Sequence, residues 1–374
     1  MTLTQNRFTA LDVFRGITVC FMIIVNSPGS YNSTFAPLLH ARWNGFTPTD
    51  LVFPSFLFAV GNSISFVLKK WNNIPQSIVL RKIAKRTIVI FIIGFLLSWV
   101  PFCKLNEVNE LVLIPFDHTR VFGVLQRIAL SYGIAALLIY YCTTKTIVKT
   151  GVVLLLAYWF LMAYFGDAHD PFGLQTNLGY FIDKWLVGDH HLYQGEGVAF
   201  DPEGLLGTLP AVTNVIAGYL TGKFIQEKRN TYELLLKMMM VGSSLVLVAY
   251  FWDFVFPINK KLWTSSFVSL TIGLDLMLLA IVIYFIDFLN QTKWTKMFLI
   301  FGRNPLFIYI FSELLVIALL FFKMGEISLY QWVFQTFYQG IGNYIGSLLF
   351  AISIMLICLL VGYVLHKKKI YIKV

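Results

Sequence analysis

The sequence predicts an all-α integral membrane protein with about ten transmembrane helices and both termini in the cytoplasm. Three observations carry this. Of 374 residues, 57% are hydrophobic and 13% charged, whereas a soluble globular domain carries about 25% charged residues. Apolar runs of the roughly 17–25 residues that cross a bilayer recur near 10–28, 50–69, 84–102, 120–141, 147–166, 207–226, 234–256, 264–288, 299–322 and 344–365. An even number of spans puts the termini on one side. If that side is the cytoplasm, 21 of the 29 basic residues fall at inner loops and helix ends, the bias that orients membrane proteins.

The same distribution accounts for most of the +10 net charge and leaves no need for a nucleic-acid partner. Cys20, Cys103, Cys142 and Cys358 are scattered, without metal or redox spacing. No internal repeat is visible, so an inverted-repeat transporter gains no support. The chain reads as a single domain over 1–374, with a polar outer loop at 26–54 and a long outer loop at 167–206.

In the first span Asp12 and Arg15 stand i,i+3 and predict a local ion pair. The run lacks a small-x-small cleavage site, so an uncleaved helix is expected. The connection from Asn26 to Pro54 carries Asn, His, Trp and Asp among Pro28, Pro37, Pro48 and Pro54, which prevent a continuous helix. Thr47-Pro48-Thr49-Asp50 reads as a helix start, with Asp50 suiting the helix dipole. That is a complete structural account of Asp50. His40 has none beyond a solvated loop residue; its functional reading is an imidazole that takes a proton or an acyl group at neutral pH.

Arg81, Lys82, Lys85 and Arg86 open the third span from inside. They mark topology, attract anionic lipid, or meet a phosphate-rich cytosolic ligand. An ionisable residue at mid-membrane costs about 2.5–3.5 kcal/mol on insertion scales. Arg127, Asp275 and Glu313 therefore read as buried ion pairs or cavity-lining groups. Arg127 is expected about two turns inside the outer boundary, near the depth of Asp50.

The loop 167–206 is rich in Asp, Gly and His, and its length predicts a functional or disordered segment. In DPEGLLGTLPA, Asp201 or Glu203 either caps the sixth span or offers a carboxylate to sugar hydroxyls or an amine. Asn259, Lys260 and Trp263 precede the eighth span, as interfacial anchors or as a polar platform with an aromatic face. The tail HKKKIYIKV reads as a basic cytoplasmic stop.

Several blocks taken together resemble one family. RFTALDVFRGITVCFMIIVN (7–26), LLHARWNGFTPTDLVFPSFLFAVGNSI (38–64), GVLQRIA (123–129), DPEGLLGTLPA (201–211), INKKLWTSSF (258–267) and FGRNPLFIYI (301–310) resemble the heparan-α-glucosaminide N-acetyltransferases and their bacterial relatives, in order along most of the chain. The resemblance implies transfer of acetyl from cytosolic acetyl-CoA to the amine of a glucosamine-type sugar outside the membrane. It puts the catalytic histidine on His40 and a motif asparagine on Asn26. It also implies a chain without the extra N-terminal luminal domain of the animal lysosomal member, in a bacterial inner membrane, and is compatible with a homodimer.

On this reading Asp50, Arg127, Glu203, Asn259 and Lys260, with Trp263, gather near His40 around acceptor and acyl group. Arg81, Lys82, Lys85, Arg86 and Arg303 face the nucleotide of CoA, and no metal is expected. His40 either carries acetyl as an acyl-imidazole or acts as general base in direct transfer. Direct transfer is favoured because no carboxylate lies within a few residues of His40. Asn26 orients the ring or donates to the oxyanion, worth about 2.7–4 kcal/mol by analogy with known donors. The competing readings are an acyltransferase of another cell-envelope glycan and an amino-sugar transporter.

Overall fold

A computed structural model describes residues 8–71, 73–105, 110–229 and 231–372. Arg7 and Lys373, counted above among the inner cations, lie outside the described residues. Thirteen α-helices occur among those described: α1 Thr9–Asn26, α2 Val52–Trp71, α3 Gln76–Trp99, α4 Val124–Tyr141, α5 Thr144–Phe165, α6 Leu178–Val187, α7 Thr208–Lys228, α8 Tyr232–Asp253, α9 Ser265–Ile283, α10 Thr295–Arg303, α11 Pro305–Phe321, α12 Leu329–Phe337 and α13 Asn343–Lys367. Two small antiparallel hairpins pair Cys103–Leu105 with Leu111–Leu113 and Lys323–Met324 with Ile327–Ser328.

Among the described residues seven helical runs are long and apolar enough to cross a membrane: Thr9–Asn26, Pro48–Trp71, Val124–Tyr141, Thr144–Phe165, Tyr232–Asp253, Ser265–Phe288 and Asn343–Lys367. The expected straight span at 299–322 is instead α10 and α11, bent by 87°. Pro305 opens α11 and has no N–H to continue α10. The expected spans at 84–102 and 207–226 are the 24-residue α3 and the 21-residue α7. Both have crossing length, but α3 starts with four cations and α7 contains Asn214, Thr221 and Lys223. Polar content keeps both out of the apolar set.

The described residues of Met1–Leu39, Phe224–Ser243 and Gly273–Lys373 form one compact unit, and those of His40–Lys223 and Ser244–Ile272 form a second. In the first, α1 lies against α10 through two small residues. A Cβ on Gly16 would sit 1.8 Å from the Phe298 carbonyl oxygen, and one on Gly302 would sit 1.9 Å from that of Asp12. Arg15 reaches Asp12 at 3.5 Å, the expected pair, and also donates to the Gly302 carbonyl at 3.2 Å. In the second unit α2 meets α7 in the same way, Gly61 against the Val215 carbonyl and Gly218 against that of Phe58, each 1.9 Å from a built Cβ.

Two expectations change here. The segment 167–206 contains α6, started by Asn177, whose side chain accepts from the Tyr180 N–H at 2.9 Å. It packs on the core through Phe200, buried with Tyr158, Met162, Phe256 and Leu262. Helix α4 begins only at Val124, so Arg127 lies in its first turn.

The glycine crossings yield a first prediction. Gly16→Leu and Gly218→Leu, each measured by thermal unfolding in detergent, should each destabilise by about 1–3 kcal/mol, the cost of overpacking. Unchanged melting would mean that the helices separate freely there.

Candidate active site

Asp50 is the centre of the site, at the start of the helical run that leads into α2. Thr47 precedes Pro48, whose fixed φ and missing N–H suit a helix beginning. Asp50 Oδ2 accepts from the Thr47 N–H at 2.9 Å, the Thr47 hydroxyl at 3.1 Å and the Ala41 N–H at 3.2 Å. The expected capping role is therefore present. Its other oxygen, Oδ1, accepts from His40 Nδ1 at 2.7 Å. A carboxylate only accepts, so the ring proton is on Nδ1 and Nε2 carries the lone pair.

The Asp50 side chain is 1% exposed and that of His40 is 43% exposed. The dyad is thus buried on the carboxylate side and open on the imidazole side. Lys260 Nζ lies 3.1 Å from Nδ1 and 3.0 Å from Nε2, hence against the ring face. Burial of the inner edge and the Lys260 charge lower the His40 pKa below the usual imidazole value, while the Asp50 bond opposes them. Burial also lowers Lys260 itself, with Glu203 and Asp50 pulling the other way.

A tight turn carries Lys260. Asn259 Oδ1 accepts from the Leu262 N–H at 2.9 Å, and the Asn259 N–H donates to Thr264 Oγ1 at 3.0 Å. Asn259 Nδ2 also donates to Asn44 Oδ1 at 3.1 Å, tying the turn to the His40 loop. These bonds hold Trp263 at φ 57°, a left-handed conformation that a bulky residue adopts only when its surroundings impose it. Trp263 is fully buried, not an interfacial anchor. Its indole N–H donates to Asn214 at 3.1 Å, and the Arg127 guanidinium stacks on it 4.9 Å from the ring centre.

Arg127 is 2% exposed and donates from Nη2 to the Gly204 carbonyl at 2.8 Å. Its Nε and Nη1 have no hydrogen-bond partner among the described residues. Asp201 and Glu203 do not cap α7, which starts only at Thr208. Arg120 takes both instead: Nε and Nη2 bind Asp201 at 2.8 and 2.6 Å, and Nη2 also binds Glu203. Burial pushes the Asp201 carboxyl up against the pull of Arg120. Burial acts the same way on Glu203, but Arg120, Arg127 and Lys260 outweigh it and hold that carboxyl low.

The structure thus links His40, Asp50, Arg127, Glu203, Asn259, Lys260 and Trp263 in one network of the second unit. Arg120 was missed; its only sequence signal was a cation among the few on the outer side. The Lys261–Glu196 pair at 2.5 Å, which ties the 167–206 segment to the same turn, was missed too. Asn26 belongs to the first unit, where its side chain is hydrogen-bonded to Glu313. Arg303, also there, contacts the His366 ring at 2.8 and 3.1 Å. In the second unit Arg81, Lys82 and Lys85 are exposed on α3, and Arg86 lies over the Tyr132 ring at 4.6 Å.

Comparison with known proteins covers most of the chain. The family model described as the catalytic region of heparan-alpha-glucosaminide N-acetyltransferase matches residues 7–247. The heparan-alpha-glucosaminide N-acetyltransferase of Mus musculus is 26% identical over 426 aligned residues, covering 99% of this chain and 61% of the mouse protein. That of Homo sapiens is 27% identical over 423 residues, covering 98% of this chain and 60% of the human protein. The chain therefore spans about three fifths of the length of these relatives. The Lys260 turn lies beyond the family-model match but inside both pairwise alignments.

Arg120→Met strips the cation from two buried carboxylates. A loss of about 3–5 kcal/mol is expected, the cost of breaking a buried pair from one side. Chemical or thermal unfolding of the purified variant measures it.

Proposed function

The chain belongs to the heparan-alpha-glucosaminide N-acetyltransferase family, and on that premise we propose that it transfers acetyl from cytosolic acetyl-CoA to the amine of an extracytoplasmic glucosamine-type sugar. The observation that carries this reading is His40 held between Asp50 and Lys260, with its imidazole open on the side away from Asp50. Ten spans, with α3 and α7 crossing and both termini in the cytoplasm of a bacterial inner membrane, put His40 on the outer face. The thioester then has to reach it across an apolar core about 30 Å thick.

Nε2 of His40 takes the proton from the acceptor ammonium, and the freed amine nitrogen attacks the thioester carbonyl carbon. A C–N bond forms and the C–S bond breaks; the second proton lost by the nitrogen goes to the thiolate, giving amide and CoA thiol, and His40 returns the first to solvent. Asp50 holds the ring tautomer and stabilises the imidazolium as it forms. The two free donors of Arg127 fit carbonyl oxygens of the acyl end or the pantetheine arm, which a buried guanidinium requires. Glu203, held ionised, suits the acceptor ammonium, and Asn259 and Trp263 fix the turn that presents Lys260. The α3 cations Arg81, Lys82, Lys85 and Arg86 serve the CoA phosphates.

A second reading, in which His40 carries acetyl covalently, gains from Asp50 at 2.7 Å. The reason for preferring direct transfer, the lack of a nearby carboxylate, no longer holds. Trapping radiolabelled acetyl on the protein before acceptor is added separates the two.

The deciding assay is CoA-thiol release with a panel of amino sugars. His40→Ala should lose about 10²–10⁴-fold in kcat, the range for general acid–base groups. Uptake into vesicles with no thiol release would favour the amino-sugar transporter, and turnover only with another glycan amine would change the acceptor. The pH profile gives a further check. His40 is active when neutral, and its pKa is lowered, so activity should rise with pH through a midpoint below about 6.5. Lys260→Met removes a charge that lowers that pKa, so the midpoint should move up.

A further inference from the structure

The long outer segment contains a buried acid that neither Arg120 nor the chemistry above engages. Asp183, on α6, is 3% exposed and accepts the Leu205 N–H on Oδ1 at 2.9 Å. Its Oδ2 lies against Gly204 so closely that a Cβ there would sit 1.7 Å away. The opposite side of the same turn faces Arg127: the Gly204 carbonyl accepts its Nη2, and a Cβ on Gly207 would sit 2.5 Å from that nitrogen. The stretch from Glu203 to Gly207 is therefore threaded between the Asp183 carboxyl and the Arg127 guanidinium.

We infer that Asp183 is a positioning residue, which through the Gly204–Leu205 backbone sets both the Arg127 guanidinium and the Glu203 carboxylate. This rests on the acetyl-transfer reading for its consequence in turnover, though the linkage itself does not. It also assigns α6 a task, as the strut that carries Asp183. Neighbouring Lys184 is engaged elsewhere, with Asp189 at 3.0 Å.

The charge state of Asp183 adds a second handle. The charged groups acting on it are Asp201 and Arg127, besides the Leu205 N–H. Burial is the largest influence and pushes the carboxyl up to about 7. Below that pH the neutral acid holds the turn without competing for Arg127. Above it a new anion faces Arg127 and lowers the pull of that guanidinium on a carbonyl oxygen.

Two variants and two readouts test the linkage. Asp183→Asn keeps an acceptor for Leu205 and loses the titration; Asp183→Leu keeps the branched outline and loses both. In kcat/KM for thiol release, Asp183→Leu should fall on the order of 10–100-fold, the scale for removing a residue that orients a working group. Asp183→Asn should stay near wild type at pH 6 and lose the activity change that wild type shows near pH 7. The second readout needs no turnover. The Arg127–Trp263 stack should give wild type a tryptophan emission change with a midpoint near 7 that Asp183→Asn lacks.

An emission change lost in Asp183→Asn, with no thiol release from wild type, would retain the positioning role and remove the acetyl-transfer reading. Thiol release with identical emission and pH profiles in wild type and Asp183→Asn would keep the acetyl-transfer reading and remove the titration. Asp183→Leu, folded and fully active, overturns the positioning role; if it does not fold, Asp183→Ala takes its place in the same assay.

Discussion

A carboxylate with almost no contact with solvent has to find partners for its lone pairs inside the protein, and Asp50 meets that demand with four donors from one short loop. An uncompensated buried carboxylate costs several kcal/mol even after relaxation. The only economical way to satisfy Asp50 is to fold residues 40–47 around it. The imidazole orientation, its tautomer and its open edge all follow. The Asn259–Asn44 bond and the Gly45 N–H to the Ile258 carbonyl hold the same loop from outside. Lys260 then completes the arrangement from a separate turn, over the ring face.

The wider cluster sets four carboxylates, Asp50, Asp183, Asp201 and Glu203, beside the cations Arg120, Arg127 and Lys260. The groups are chemically alike, but their surroundings separate them. Glu203 faces three cations and stays low, whereas Asp183 and Asp201 are pushed up by burial. Lys260 and His40 both move down, which keeps the ring neutral and basic at its exposed nitrogen. Such divergence among neighbouring acids is what assigns different proton tasks to similar side chains.

How much of this was legible in the sequence depended on range. Helices were legible because apolar length is a local property, and the Thr47–Asp50 start was legible because a capping turn is four residues long. The break after Arg303 was visible as Asn-Pro, yet composition alone read through it. Capping by Asp201 or Glu203, one of the two roles the sequence allowed them, fails because α7 waits until Thr208, which nothing local announces. Their real partner, Arg120, comes from a different connection, and such pairings leave no local trace. The sequence allowed Trp263 to be an interfacial anchor or an aromatic face of the site, and only distant contacts exclude the anchor. Its burial depends on Arg127 and Asn214, which α4 and α7 supply. Helix α6 was hidden because ten residues are too few for a clear period within a polar loop.

The mutual contacts of these turns have a common geometric origin. The His40–Asp50 loop precedes α2, Arg120 precedes α4, Asp201–Glu203 precedes α7, and the Asn259–Trp263 turn precedes α9. Because the turns touch one another, four helix N-termini open toward one region of the second unit. Each N-terminus carries roughly half a positive charge and favours a nearby anion by about 0.3–1 kcal/mol, more when partly buried. Their fields, added to the fixed cations, tolerate a concentration of carboxylates that an apolar bundle otherwise rejects. Under the proposed acetyl transfer, the same field favours an oxyanion growing on the thioester carbonyl. The bundle supplies the electrostatics, and the short turns supply the groups that use it.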